Sequence, residues 1–184
     1  MWEVERRLLS ANHTRAPDAA RLLGLPFVCL HTPADNNVYD FLQKLLDKAK
    51  PKLVKDVLDL LMGFDEYRDA QKLGTEPKLV YGNLNQGAGK VLVDMTGGTE
   101  GHPNVFNSLY KAGVRTLVCM HVSDEHYKKI KDTHLSVIIA GHVSSDTLGM
   151  NLLLDKIENR SGEPLEVVSC SGFKRYRRNG RPHS

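Results

Sequence analysis

From Lys90 onward, short apolar runs alternate with helix-patterned segments, and this alternation restricts the chain to layered α/β folds. Strands are predicted at Val91–Met95, Thr116–Met120, Val137–Ala140 and Glu166–Ser169. Helices are predicted between them at Asn104–Ala112, Asp124–Asp132 and Thr147–Asn159. Crossovers of this length join parallel strands, so the expected architecture is α/β, a layered αβα arrangement around a mostly parallel or mixed sheet.

The first 75 residues read differently. Helical patterns fall at Val4–Leu9, Pro17–Leu23, Val38–Ala49, Val54–Met62 and Asp65–Leu73, with one strand at Phe27–Leu30 before the run Leu79–Tyr81. A lone strand cannot form a sheet, and "WEVERRLL" is already amphipathic without a capping signal. Either Phe27–Leu30 joins the later sheet or its partners belong to sequence missing from this chain. The expectation is a division into residues 1–75, mostly helical with one strand, and residues 76–184, an α/β domain with a basic C-terminal tail.

Composition narrows the function classes. No apolar run approaches the ~20 residues of a membrane span, and "MWEVERRLL" is charged too early for a secretory signal. The net charge of +3 is modest. Part of it lies in "FKRYRRNGRPHS", expected to be a solvated, frayed terminus, so nucleic acid is not an expected partner. Cys29, Cys119 and Cys170 form no CxxC pair and sit beside apolar runs, which suggests small buried thiols in a reducing, cytoplasmic setting.

One pattern recurs three times. An apolar run, a histidine, three residues, an acid and a helix appear as His31…Asp35, His121…Glu125 and His142…Asp146. The carboxyl ends of strands in α/β sheets are where ligands bind. Stepping back along the helices from the stripes Val38, Phe41, Leu42, Leu45 and Met150, Leu153, Leu154, Ile157 places Asp35 and Asp146 on buried faces. In the middle copy the phase favours His126 over Glu125. Helix capping explains any one acid taken alone. Three histidines ending three strands, with two acids in phase, favour a shared divalent-metal site of His31, Asp35, His142 and Asp146. Imidazole with carboxylate suits zinc, iron, manganese or nickel. His121, Glu125 or His126 is then expected to transfer the proton.

Other motifs carry less. "GNLNQGAGKV" departs from a P-loop at Leu84 and Val91 and reads as a connecting loop. "DMTGGTEG" reads as a tight turn with Thr96, Thr99 and Glu100 near any ligand. His13 is read as structural, and His102, His134 and His183 carry no signal.

At "HTPADN", "DMTGGTEG" and "AGHVSSDTLGMNLL" the sequence resembles the Nif-three-like family, also called dinuclear metal centre proteins or GTP cyclohydrolase I type 2 homologues. The resemblance implies paired α/β domains facing a two-metal cleft, ring-like assemblies of dimers, and Asp35, His142 and Asp146 among the ligands. Residues 1–75 are then expected to be the helical remnant of a first α/β domain whose N-terminal part is missing, and residues 76–184 the second domain. Asp146 stands where the family has Glu, and the family's adjacent His-His pair is absent from this sequence, so the site is expected to be under-occupied. The resemblance implies a metal-dependent hydrolase acting on a nucleotide or phosphorylated small molecule, as a homo-oligomer. The alternatives are a regulatory or scaffold protein with a protein partner, or an inactive fragment.

Overall fold

The computed structural model describes residues 14–96, 101–102 and 104–178. The predicted helix Val4–Leu9, His13, Thr99, Glu100 and His183 lie outside them. The chain divides into two compact units, Met1–Leu30 and His31–Ser184, where a division at residue 75 was expected. The described part of the first unit holds α1 (Arg15–Leu22). Its C-terminal turn is closed by the Leu25 amide donating to the Ala20 carbonyl at 2.9 Å, with Gly24 at a φ of 66°.

The second unit runs α2 (His31–Ala49), α3 (Val54–Leu61), α4 (Asp65–Lys72), β1 (Lys78–Tyr81), β2 (Lys90–Asp94), α5 (Val105–Lys111), β3 (Val114–Cys119), α6 (Asp124–Lys131), β4 (Ser136–Ile139) and α7 (His142–Ser161). The sheet order is β1-β4-β3-β2. β2, β3 and β4 are parallel, and β1 joins the β4 edge antiparallel. The sheet is therefore mixed.

Strand alternation builds two cores. Val91, Val93, Val118 and Ile138 face α2, α3, α4 and α7 through Val38, Leu42, Val57, Leu61, Tyr67 and Leu148. Leu117, Cys119 and Val137 face α5 and α6 through Phe106 and Ile130. The three layers follow from the period of two along each strand. No helix among the described residues is long and apolar enough to cross a membrane.

Two predicted strands are corrected. Residues 25–30 and 164–170 have no regular structure, and among the described residues neither pairs with the sheet. β-branched composition supplies a surface for packing, but a strand exists only where a neighbour completes its hydrogen-bond ladder. The thiols are also corrected: Cys119 is buried, while Cys29 and Cys170 are exposed.

Two helices begin earlier than predicted. α2 starts at His31 instead of Val38, with Pro33 tolerated in its first turn and Asn37 Nδ2 donating to the Pro33 carbonyl at 2.7 Å. α7 starts at His142 instead of Thr147. Its polar first turns pair inward, with Ser144 Oγ donating to the Ala140 carbonyl at 3.2 Å and Thr147 Oγ1 to the Val143 carbonyl at 2.8 Å. Gly141, at a φ of 92°, makes the reversal from β4 into α7.

The buried stripe of α7 also differs from the predicted one. Ser144, Ser145, Leu148, Gly149, Asn151, Asp155 and Glu158 are buried, while Ile157 is 41% exposed. The polar members of this face meet the C-terminal tail, which is docked instead of frayed through residues 174–178. Arg175 Nη2 lies 2.5 Å from Asp155 and 2.9 Å from Glu158, and Arg178 Nη2 lies 2.5 Å from Glu66.

Helices α2 and α7 make a close crossing. A Cβ built on Gly149 would stand 2.3 Å from the Ala34 carbonyl oxygen, a backbone atom that cannot rotate aside. Gly149→Ala is expected to destabilise the protein by about 2–3 kcal/mol, read as a lower midpoint in urea denaturation. An unchanged midpoint would mean that the two backbones do not approach this closely.

Candidate functional site

The α2–α7 crossing brings two helix beginnings together. His31 is the first residue of α2 and Asp35 follows one turn later; His142 and Asp146 repeat this on α7. Residues four apart share a helix face, so each histidine leans over its own acid. His31 Nε2 lies 3.7 Å from Asp35 Oδ2, and His142 Nε2 lies 3.4 Å from Asp146 Oδ2. Neither acid is a helix N-cap, because the α7 N-cap is Gly141 and Asp35 lies inside α2.

A third histidine joins from the sheet. His121, just beyond the carboxyl end of β3, stacks on His142 with ring centroids 5.3 Å apart and planes 9° from parallel. A cleft of about 680 Å³ opens beside it, lined by His31, Asp35, Asp94, Thr96 and His121. Asp94 and Tyr39, which line this cleft, were not singled out from the sequence. Asp94 ends β2 and is recognisable in hindsight as an acid closing an apolar run, with Thr96 Oγ1 donating to its Oδ1 at 2.8 Å.

Of the other proton-transfer candidates, His126 also lines the cleft and Glu125 does not. Glu125 is exposed on α6, apart from the cleft lining. His126 is buried and both ring nitrogens are engaged, Nδ1 with Ser123 Oγ and Nε2 with the Gly101 carbonyl, each at 2.7 Å. It packs edge-on against Phe106. Such a ring ties the loop before α5 to the start of α6, and a proton leaving it would break one of those bonds. His102 and His134 make local contacts, with the Asn104 amide and the Tyr110 ring.

The electrostatics couple the two helix beginnings. Desolvation holds the Asp146 carboxyl above its usual range, and Asp35 pushes the same way; His142 and His31 oppose them. Asp146 Oδ1 is buried and has no hydrogen-bond partner among the described residues. Beneath it, Tyr67 Oη and Ser145 Oγ are 3.1 Å apart in the core, and burial pushes the Tyr67 phenol upward.

The donor types here, imidazole and carboxylate, suit a divalent ion, and the shielded oxygen of Asp146 is a place for one. As the side chains stand, each carboxylate faces its own histidine. Among the described residues, no group of three His, Cys, Asp or Glu is disposed to hold a metal ion.

The raised Asp146 carboxyl has a defined consequence for stability. The folded state binds this proton more tightly than the unfolded chain, so above the folded pKa the ionised group destabilises the fold. That penalty fades as pH falls toward the unfolded value of about 4. With chelator present, Asp146→Asn is expected to melt at a higher temperature than the wild type at pH 7, the gap closing toward pH 4. A lower melting temperature at pH 7 would show that attraction to His142 outweighs desolvation.

No protein-family model matches the sequence. No curated protein matches it either. Among solved structures, a NIF3 superfamily protein from Sphaerobacter thermophilus superposes with a TM-score of 0.65 and 28% identity, over 86% of this chain and 59% of that one. The Staphylococcus aureus protein SA1388 aligns over 67% of this chain and 34% of its own, with a TM-score of 0.41 and 15% identity, too low to carry weight. This chain thus spans 59% of the Sphaerobacter protein. With 28% identity over 86% of this chain, the αβα layering is similar to the fold of that NIF3 superfamily protein.

Proposed function

We propose that the chain binds a divalent metal ion through His31, Asp35, His142 and Asp146, and that the site is of hydrolase type. The observation that carries this reading is the buried Oδ1 of Asp146, a carboxylate oxygen without a hydrogen-bond donor among the described residues, electrostatically coupled to a second carboxylate, Asp35. Shielding two carboxylates together is costly, and a cation they share removes that cost. Zinc, iron, manganese and nickel all suit the donor set. The sequence has no adjacent His-His pair, so occupancy is expected to be weak.

When bound, such an ion polarises a substrate oxygen and acidifies its water. The chain's own contribution is positional. His121, stacked on His142 at the cleft wall, is the imidazole placed to take or deliver a proton, in preference to Glu125 and His126. The cleft has room for a nucleotide or a phosphorylated small molecule, the substrate class we propose. Self-association into dimers or rings belongs to the same reading and rests on the family resemblance alone. A scaffold role is the second reading, favoured by the C-terminal segment 174–178 docked against the acidic face of α7.

Titration calorimetry with Zn²⁺ and Mn²⁺ tests the site. The wild type is expected to bind, and Asp35→Asn and Asp146→Asn each to weaken binding by about 10-fold or more with the fold retained. Equal binding by the wild type and both variants would remove the metal reading. Metal binding without turnover of nucleoside triphosphates or sugar phosphates would favour the scaffold.

A further inference from the structure

Residues 174–178 lie across α4 and α7 in a way that resembles a ligand in a receptor. Asn151, wholly buried on α7, reads the segment's backbone: Nδ2 donates to the Lys174 carbonyl at 2.9 Å, and Oδ1 accepts from the Tyr176 amide at 3.2 Å. This two-point contact recognises an extended chain through its peptide groups, whatever its side chains. The remaining Nδ2 hydrogen goes to Glu66 Oε1 at 2.9 Å, so the amide is locked in that orientation.

The side chains then meet a line of acids. Lys174 Nζ donates to Asp69 Oδ2 at 2.7 Å, and Tyr176 Oη donates to the same carboxylate. Arg175 Nη2 bridges Asp155 and Glu158 at 2.5 and 2.9 Å, and Arg177 Nε reaches Glu158 Oε1 at 3.2 Å. Arg178 Nη2 contacts both oxygens of Glu66, at 2.7 and 2.5 Å. Glu66 and Glu158 are nearly inaccessible, with side-chain exposures of 0% and 4%. Guanidinium forks suit these bridges, and a lysine's point charge does not.

Residues 162–173 leading to the segment have no helix or strand and are mostly exposed. The side chains of 174–178 are held by ion pairs, beside the backbone contacts to Asn151, and Arg175 Nε is buried with no hydrogen-bond partner among the described residues. Salt weakens the exposed Lys174–Asp69 pair more than the buried pairs of Arg175 and Arg178. If the segment leaves, Glu66, Asp155 and Glu158 lose their cations together, so the groove can open only in exchange for another basic occupant.

We propose that the α4–α7 groove is a docking site for an extended, arginine-rich peptide segment, filled in cis by the chain's own residues 174–178. The occupant in trans is a segment of another polypeptide with the same alternation of backbone contacts and guanidinium groups. The site is independent of the metal reading, because none of its residues belongs to the His–Asp cluster.

The probe is a fluorescent synthetic peptide with the sequence of residues 173–178, used with the full chain. It is expected to bind the double variant Arg175→Gln/Arg178→Gln at least 10-fold more tightly than the wild type, whose groove is already filled. Glu66→Gln added to that variant should abolish the gain, and a peptide with lysine at every arginine should bind at least 10-fold more weakly. Should the double variant fail to fold, hydrogen exchange of the wild-type Tyr176 amide replaces it. Excess peptide displaces the segment and should accelerate that exchange several-fold. Affinity that is equal in wild type and variant, or that survives Glu66→Gln, overturns the proposal as non-specific adsorption. A Tyr176 exchange rate unmoved by peptide overturns it for the wild-type chain.

Discussion

The approach of Gly149 to the Ala34 carbonyl is the contact on which the site depends. Any side chain at residue 149 would drive the two helices apart. With glycine there, the backbone of α7 rests on the first turns of α2, and the His–Asp pairs of both helices face a common space. The sheet supplies the other wall, since His121 and His142 both follow parallel strands and leave them at the same end. Parallel strand ends, a helix crossing and a glycine together concentrate ionisable groups that lie more than a hundred residues apart in sequence.

Helix α7 has different chemistry at its two ends. At its start, the carboxylate of Asp146 is shielded and weakly compensated, with its pKa raised. Toward its end, Glu158 is held below its usual range by the Leu165 amide first and then by Arg177 and Arg175. Glu158 is buried and Asp146 is half-buried with one oxygen shielded, yet the more buried acid is the one stabilised as an anion, because it has several donors aimed at it. An acid left short of donors is suited to a ligand cation, and an acid saturated by arginines is suited to holding a chain segment.

The same contrast explains where sequence periodicity misplaced α7. The predicted stripe followed Met150, Leu153, Leu154 and Ile157, the apolar positions. The buried face follows Ser145, Leu148, Asn151, Asp155 and Glu158 instead. Hydrophobicity patterns treat Asn151, Asp155 and Glu158 as solvent-facing, and so they would be without Arg175, Arg177 and Arg178. The arginines in turn read as a solvated tail for the reciprocal reason. On α2 no segment of this kind intervenes, and Asp35, Val38 and Leu42 are buried as their spacing predicts.

The sequence by itself determined the α/β layering, four of the strands to within two residues at each end, and the pairing of His31 with Asp35 and His142 with Asp146, because these rest on local periodicity and on fixed spacing within one helix turn. It was less informative at the helix starts, where serine and asparagine read as loop although their side chains donate to nearby carbonyls, and where proline is tolerated in a first turn. Tertiary structure alone decided that residues 27–30 form no strand, that His126 is spent on Ser123 and Gly101, and that His121 stacks on His142. It also decided that a basic tail fills an acidic groove. Each of these depends on which distant backbone or charge arrives alongside, and no window along the chain contains both partners.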